Sequence, residues 1–126
     1  MKAIPVEPRK PGTVRLEDIP DPDAREGSIL VEAVGALFCG TDVEIAEGKY
    51  GWAPPGKMHL VLGHESLGLG IDPGARSPLK LGELVAGIVH RPDPGPCPNC
   101  AVGESDMCRN GRYTERGMNF HRKGGG

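Results

Sequence analysis

Ser28-Ile29-Leu30-Val31-Glu32-Ala33-Val34-Gly35-Ala36-Leu37 runs straight into Phe38-Cys39-Gly40-Thr41-Asp42, and a second run, Leu60-Val61-Leu62, leads into Gly63-His64-Glu65-Ser66-Leu67-Gly68. The first of these is the clearest strand in the chain, a near-continuous series of small apolar residues. After it, Gly40–Ala46 has helical character. Thr41 is a cap candidate, and Glu44 follows it three positions later in a capping-box arrangement. Cys39 therefore falls between a strand and a short helix, where a side chain faces a cleft on a rigid backbone. A helix N-terminus also favours thiolate over thiol. Cys39, His64 and Glu65 supply a sulfur, an imidazole and a carboxylate. Catalytic zinc uses that mixture, with three protein ligands and one open position. Glu65, adjacent to His64, either ligates or orients from behind. The Thr41 hydroxyl is placed to carry a proton near whatever the metal binds.

Other strands are expected at Lys2–Val6, at Thr13–Ile19 pairing with it, at Ser66–Ile71 and at Leu84–Val89, with turns at Pro20–Asp23 and Asp72–Gly74. Gly48–Lys57, which carries the only tryptophan, reads as a surface loop. From Arg91 onward the composition shifts to proline, cysteine and polar residues, an excursion from the core. The last residues, His121–Gly126, have no apolar partners and are expected to be disordered.

The whole chain has 126 residues, one domain's worth, with room for one modest core. Its 20 glycines and 13 prolines, about a quarter of the residues, suit either disorder or a loop-rich β domain. The short apolar runs divided by turn signals favour the β domain. Aromatic residues are 4% of the chain, so the core is aliphatic and its stability margin thin. A formal charge of −2 gives no ground for a nucleic-acid or anionic-membrane partner. No apolar stretch reaches the roughly 18 residues of a membrane span, and Met1–Val6 does not read as a signal peptide. A cytoplasmic protein is expected, in which four cysteines are metal ligands or free thiols rather than disulfides.

Read whole, Gly63-His64-Glu65-x-x-Gly68 with Gly74 and Ser77 beyond it resembles the signature of the zinc-containing medium-chain alcohol dehydrogenases, and Phe-Cys-Gly-Thr-Asp resembles its partner motif. Lys57–Gly68 (KMHLVLGHESLG) and Gly111–Gly117 (GRYTERG) look most like the glucose (aldose) dehydrogenase branch. The resemblance runs from Met1 to about Gly117. It implies a mainly β fold over 1–117, a GroES-like, partly closed β-barrel with short helices and a Cys-rich lobe, followed by a disordered 118–126. It implies a catalytic zinc on Cys39, His64 and Glu65, assisted by Thr41. The reaction implied is removal of hydride from a zinc-polarised hydroxyl of a small-molecule sugar to NADP or NAD. Glu115 matches a carboxylate set against sugar hydroxyls, and His90 a polar sugar-contacting position that is commonly asparagine.

Cys97, Cys100 and Cys108 match the last three positions of the family's structural zinc lobe, C-x2-C-x2-C-x7-C. The first position falls on Pro94, which cannot bind metal, and Asp93 is the candidate replacement. The two readings are a weakened structural zinc site and a lobe that has lost its metal. No G-x-G-x-x-G lies between a strand and a helix, so the cofactor site belongs to a Rossmann domain absent from these 126 residues. A shifted frame, a truncated gene or a deliberately cut chain are the expectations for the ending, and such a piece is expected to be inactive alone. A stand-alone zinc-binding structural or interaction module is the alternative. A homo-oligomer is the expectation for the full-length protein.

Overall fold

The computed structural model describes residues 1–23, 29–72, 77–115 and 118. Their elements in chain order are β1 (Lys2–Ala3), β2 (Pro5–Val6), β3 (Glu17–Asp18), β4 (Leu30–Leu37), α1 (Gly40–Ala46), β5 (Leu60–Val61), β6 (Glu65–Asp72), β7 (Leu84–Ala86), β8 (His90–Arg91), α2 (Pro98–Ala101) and β9 (Thr114–Glu115). The architecture is mainly β with short helices and a Cys-rich lobe, as expected. Its strands form four small antiparallel sheets, β1–β3, β2–β5, β4–β6–β7 and β8–β9. Among the described residues they do not close into a barrel.

The pairing of β4 with β6 assembles the candidate site. Leu37 at the end of β4 stands opposite Glu65 at the start of β6, so the residues following β4 and those preceding β6 emerge side by side at one end of the sheet. Cys39 and His64 meet for that reason. The ladder steps out of register between Ala33 and Gly35, leaving Val34 unmatched, and again between Leu30 and Val31. Because side chains alternate with period two, each one-residue step re-aims everything beyond it. At Gly68 the two strands are in close contact. A Cβ there would meet the Glu32 carbonyl oxygen and the Val31 Cβ, each at 2.9 Å.

Helix α1 docks through Ile45, which is fully buried with Val6 and Leu60 in a core completed by Leu62. Ile4, Tyr50 and Met118 pack against that cluster. Burying one such aliphatic side chain contributes about 1.5–3 kcal/mol, so four residues give the modest core that the composition suggests. Asp42, three positions before Ile45, shares the inward face of the helix and is also buried.

Several expectations need correction. The cap of α1 is Cys39, not Thr41: its sulfur accepts a hydrogen bond from the Thr41 N–H, and Asp42 rather than Glu44 completes the box by accepting from the Cys39 N–H. The expected strand Lys2–Val6 is two strands with different partners, because Ala3 and Lys2 face β3 while Pro5 and Val6 face β5. Of Thr13–Ile19, only Glu17–Asp18 joins the ladder with β1. Leu84–Val89 ends at Ala86, and the chain re-enters a ladder at His90, now against β9. The Gly48–Lys57 loop is not wholly at the surface, since Gly51 is buried against Ile45 and the Trp52 N–H reaches the Met118 carbonyl. All four cysteines are free thiols. Among the described residues no helix is long and apolar enough to cross a membrane. Gly74 of the quoted signature and the tail from His121 lie outside the described residues.

Candidate metal centre

Cys39, His64 and Glu65 converge: their sulfur, ring-nitrogen and carboxylate ligand atoms all lie within 4.8 Å of one another. Cys39 Sγ is 3.2 Å from His64 Nε2. Gly63 turns the chain into this position with φ of +94°, a left-handed conformation that favours glycine.

Asp42 ties the two halves together. Its Oδ2 accepts from the Cys39 N–H at 2.9 Å, and its Oδ1 accepts from the Gly63 N–H at 3.4 Å. The same Oδ2 stands 3.3 Å from His64 Nδ1, within ion-pair range but out of line for a hydrogen bond, so Nδ1 is buried without one. A carboxylate behind Nδ1 with Nε2 facing the thiol is the arrangement that orients a metal-binding imidazole. The donor set and this carboxylate-backed ring both fit a zinc ion with an open coordination position. Asp42 stands in the Phe-Cys-Gly-Thr-Asp motif with no role evident from sequence alone; the signal for one is its place three residues before the inward-facing Ile45. Thr41 is half-buried beside the centre.

Glu115 and His90, paired across β8 and β9, form a second polar cluster. His90 Nε2 is 3.1 Å from Glu115 Oε1, and the Tyr50 hydroxyl donates to Glu115 Oε2 at 3.3 Å. The Tyr113 ring lies 5.9 Å from the His90 ring. Tyr50 in turn meets Trp52 edge-on at 5.3 Å, and the Arg9 guanidinium sits 4.5 Å over the Trp52 ring. Tyr50, from the glycine- and proline-rich loop, thus anchors the Glu115 carboxylate.

The third group is the lobe. Cys97 caps α2, Pro98 begins the helix, and the Cys97, Cys100 and Cys108 sulfurs lie within 4.8 Å of one another. Backbone hydrogen bonds from Cys100 and Arg109 hold the Cys97 thiol down to about 6. At Cys100 a backbone bond from Asp93 pulls downward, but desolvation and the neighbouring Cys108 and Cys97 sulfurs outweigh it and raise the pKa. Asp93 is buried, but its carboxylate is not among the three grouped donors. Its Oδ1 accepts from the Gly95 N–H at 2.8 Å and its Oδ2 from Asn110 Nδ2 at 2.9 Å.

The alcohol dehydrogenase GroES-like domain model matches residues 25–126. The chain is 39% identical over 119 residues to a glucose 1-dehydrogenase of Methanocella arvoryzae, covering 94% of this chain and 33% of that protein. It is 41% identical over 120 residues to glucose 1-dehydrogenase 1 of Haloterrigena turkmenica, covering 94% and 32% respectively. Among solved structures it is similar to Haloferax mediterranei glucose dehydrogenase in complex with NADP, zinc and gluconolactone. That match has a TM-score of 0.80 and 33% identity, over 98% of this chain and 35% of the other. The chain spans about a third of the length of these relatives.

Proposed function

The chain belongs to the alcohol dehydrogenase GroES-like domain family, and from that premise we propose that it is the zinc-binding catalytic portion of an NAD(P)-dependent glucose or aldose 1-dehydrogenase. The observation that carries the proposal is the convergence of Cys39, His64 and Glu65 at mutual distances within 4.8 Å. Bound there, zinc supplies a Lewis acid that polarises a sugar hydroxyl and lowers its pKa.

The chain's own residues have distinct parts in this reading. Cys39, His64 and Glu65 hold the metal, and Asp42 fixes the Cys39 backbone and stands behind the His64 ring. Thr41 relays the hydroxyl proton, its Oγ1 accepting that proton while its own hydroxyl proton passes on to water. Glu115, held by Tyr50, and His90 contact the remaining sugar hydroxyls. A carboxylate accepts from such hydroxyls, and buried acceptors discriminate strongly against a ligand that lacks the matching donor. This reading assigns the nicotinamide partner to the part of the relatives' length that the chain does not span. The partner in this reading is NADP or NAD.

Support comes from the donor set, the geometry of Asp42 and the likeness to glucose dehydrogenases. The test is zinc content together with ligand perturbation. Zinc-loaded chain titrated with gluconolactone should show amide shifts at Glu115 and His90, and a Cys39→Ser, His64→Ala double variant should lose one zinc per chain. Unchanged zinc content would overturn the proposal, as would lactone-induced shifts confined to other residues.

A further inference from the structure

Among the described residues one further group of metal-ligating atoms stands apart from the Cys39–His64–Glu65 centre: the sulfurs of Cys97, Cys100 and Cys108. A tetrahedral structural zinc needs four donors. The lobe supplies three. Pro94 has no side-chain ligand atom, and the Asp93 carboxylate does not group with the three sulfurs; it is turned instead to the Gly95 N–H at 2.8 Å and to Asn110 Nδ2 at 2.9 Å. Moving Asp93 onto a metal would draw its buried carboxylate away from these two partners, which fix the turn through the exposed Gly95 and Asn110.

We propose that Cys97, Cys100 and Cys108 form a three-coordinate thiolate site for a trivalent thiophilic centre, arsenic(III) presented as arsenite, in preference to zinc. Arsenic(III) is pyramidal: three ligands surround it and its lone pair occupies the fourth vertex, so the missing donor is not missed. Charge favours it as well. Three thiolates on a trivalent centre are neutral overall, whereas the same thiolates on zinc leave a net negative charge, and an added carboxylate would deepen it. Cys97 and Cys100 are 5% and 8% exposed, so an uncompensated charge there is poorly solvated. The exchange balances without an oxidant or reductant. Three As–O bonds break and three As–S bonds form, the thiol protons leave with the hydroxyls as three waters, and arsenic stays trivalent.

The experiment uses the reduced full chain with arsenite and zinc together, followed by mass spectrometry under native conditions and by near-ultraviolet sulfur-to-arsenic absorption. The expected result is one arsenic per chain, with three protons lost, alongside one zinc at the other centre. Because the third sulfur binds intramolecularly, Cys108→Ser should weaken arsenite binding by about a hundredfold or more, while Cys39→Ser should leave it unchanged. Two zincs and no arsenic would overturn the proposal, particularly if Asp93→Asn released the second zinc. Retention of arsenic by Cys108→Ser would overturn it too. Should that variant fold poorly, the competition on the unaltered chain decides between arsenic and zinc by itself. Loss of the zinc alone, with arsenic still bound, bears on the catalytic centre and supports the three-sulfur site.

Discussion

Replacing Asp42 by asparagine changes one oxygen into an amide nitrogen at the point where the two ligand segments are tied. The carboxylate accepts from the Cys39 N–H at 2.9 Å and from the Gly63 N–H at 3.4 Å, and it lies 3.3 Å from His64 Nδ1. Asparagine has only one acceptor oxygen. If that oxygen keeps the Cys39 N–H, the new NH2 group opposes the Gly63 N–H, a donor against a donor. If the side chain turns over, the Cys39 N–H loses its acceptor instead. Either way one half-buried backbone donor loses its acceptor, at the lower end of about 1–3 kcal/mol, and a charge-assisted bond becomes a neutral one. The His64 ring also loses the negative neighbour that stands behind its Nδ1. Loss of such partners typically weakens metal binding by about 10- to 100-fold, or about 1.4–2.8 kcal/mol. Competition against a chromophoric chelator measures the zinc affinity, and urea unfolding of the metal-free chain measures the stability term separately. Zinc affinity within twofold of the unaltered chain, with unchanged unfolding, would refute the account of Asp42 as the tie between the two segments.

Three further outcomes are expected. Ile45→Ala, at a fully buried position in a core of four residues, should lower stability by about 2–5 kcal/mol, whereas Val43→Ala on the exposed face of α1 should stay within about 0.5 kcal/mol; urea midpoints compare them. Gly68→Ala puts a Cβ 2.9 Å from both the Glu32 carbonyl and the Val31 Cβ. It should cost about 1–3 kcal/mol and weaken zinc binding as well, because the β4–β6 register aligns Cys39 with His64. Glu7 is held below the ordinary carboxylate range, chiefly by its hydrogen bond from Lys10. Its charged form is therefore favoured in the fold, and the pair's contribution is present at neutral pH and lost as the pH falls through the carboxylate range. In Lys10→Ala the Glu7 carboxyl should titrate at higher pH by NMR.

The candidate centre was legible because its chemistry is local. Cys39 and His64 each sit in a short motif next to a strand, and a strand pair of nearly equal length brings such motifs together. The span of α1 was legible for the same reason, but its cap was not. Cap preferences favour hydroxyl and carboxylate side chains, so Thr41 stood out in sequence, while the structure uses the Cys39 sulfur and Asp42. Strand ends were poorly marked wherever partners change. Lys2–Ala3 and Pro5–Val6 are separated by Ile4 alone yet pair with segments more than 40 residues apart from one another, Glu17–Asp18 and Leu60–Val61. The β8–β9 pairing is similarly nonlocal, and nothing in the short segment His90–Arg91 announces Thr114–Glu115 as its partner. Tyr50 was hidden by its surroundings: a residue in a glycine- and proline-rich loop gives no periodic signal, and only the fold brings its hydroxyl to Glu115.

The central claim is that Cys39, His64 and Glu65 hold zinc, and zinc K-edge X-ray absorption on the chain loaded with one equivalent tests it most directly. The predicted spectrum fits one sulfur at roughly 2.3 Å and nitrogen or oxygen neighbours at roughly 2.0–2.2 Å. A shell of three sulfurs would place the ion in the Cys97, Cys100, Cys108 lobe and contradict the account.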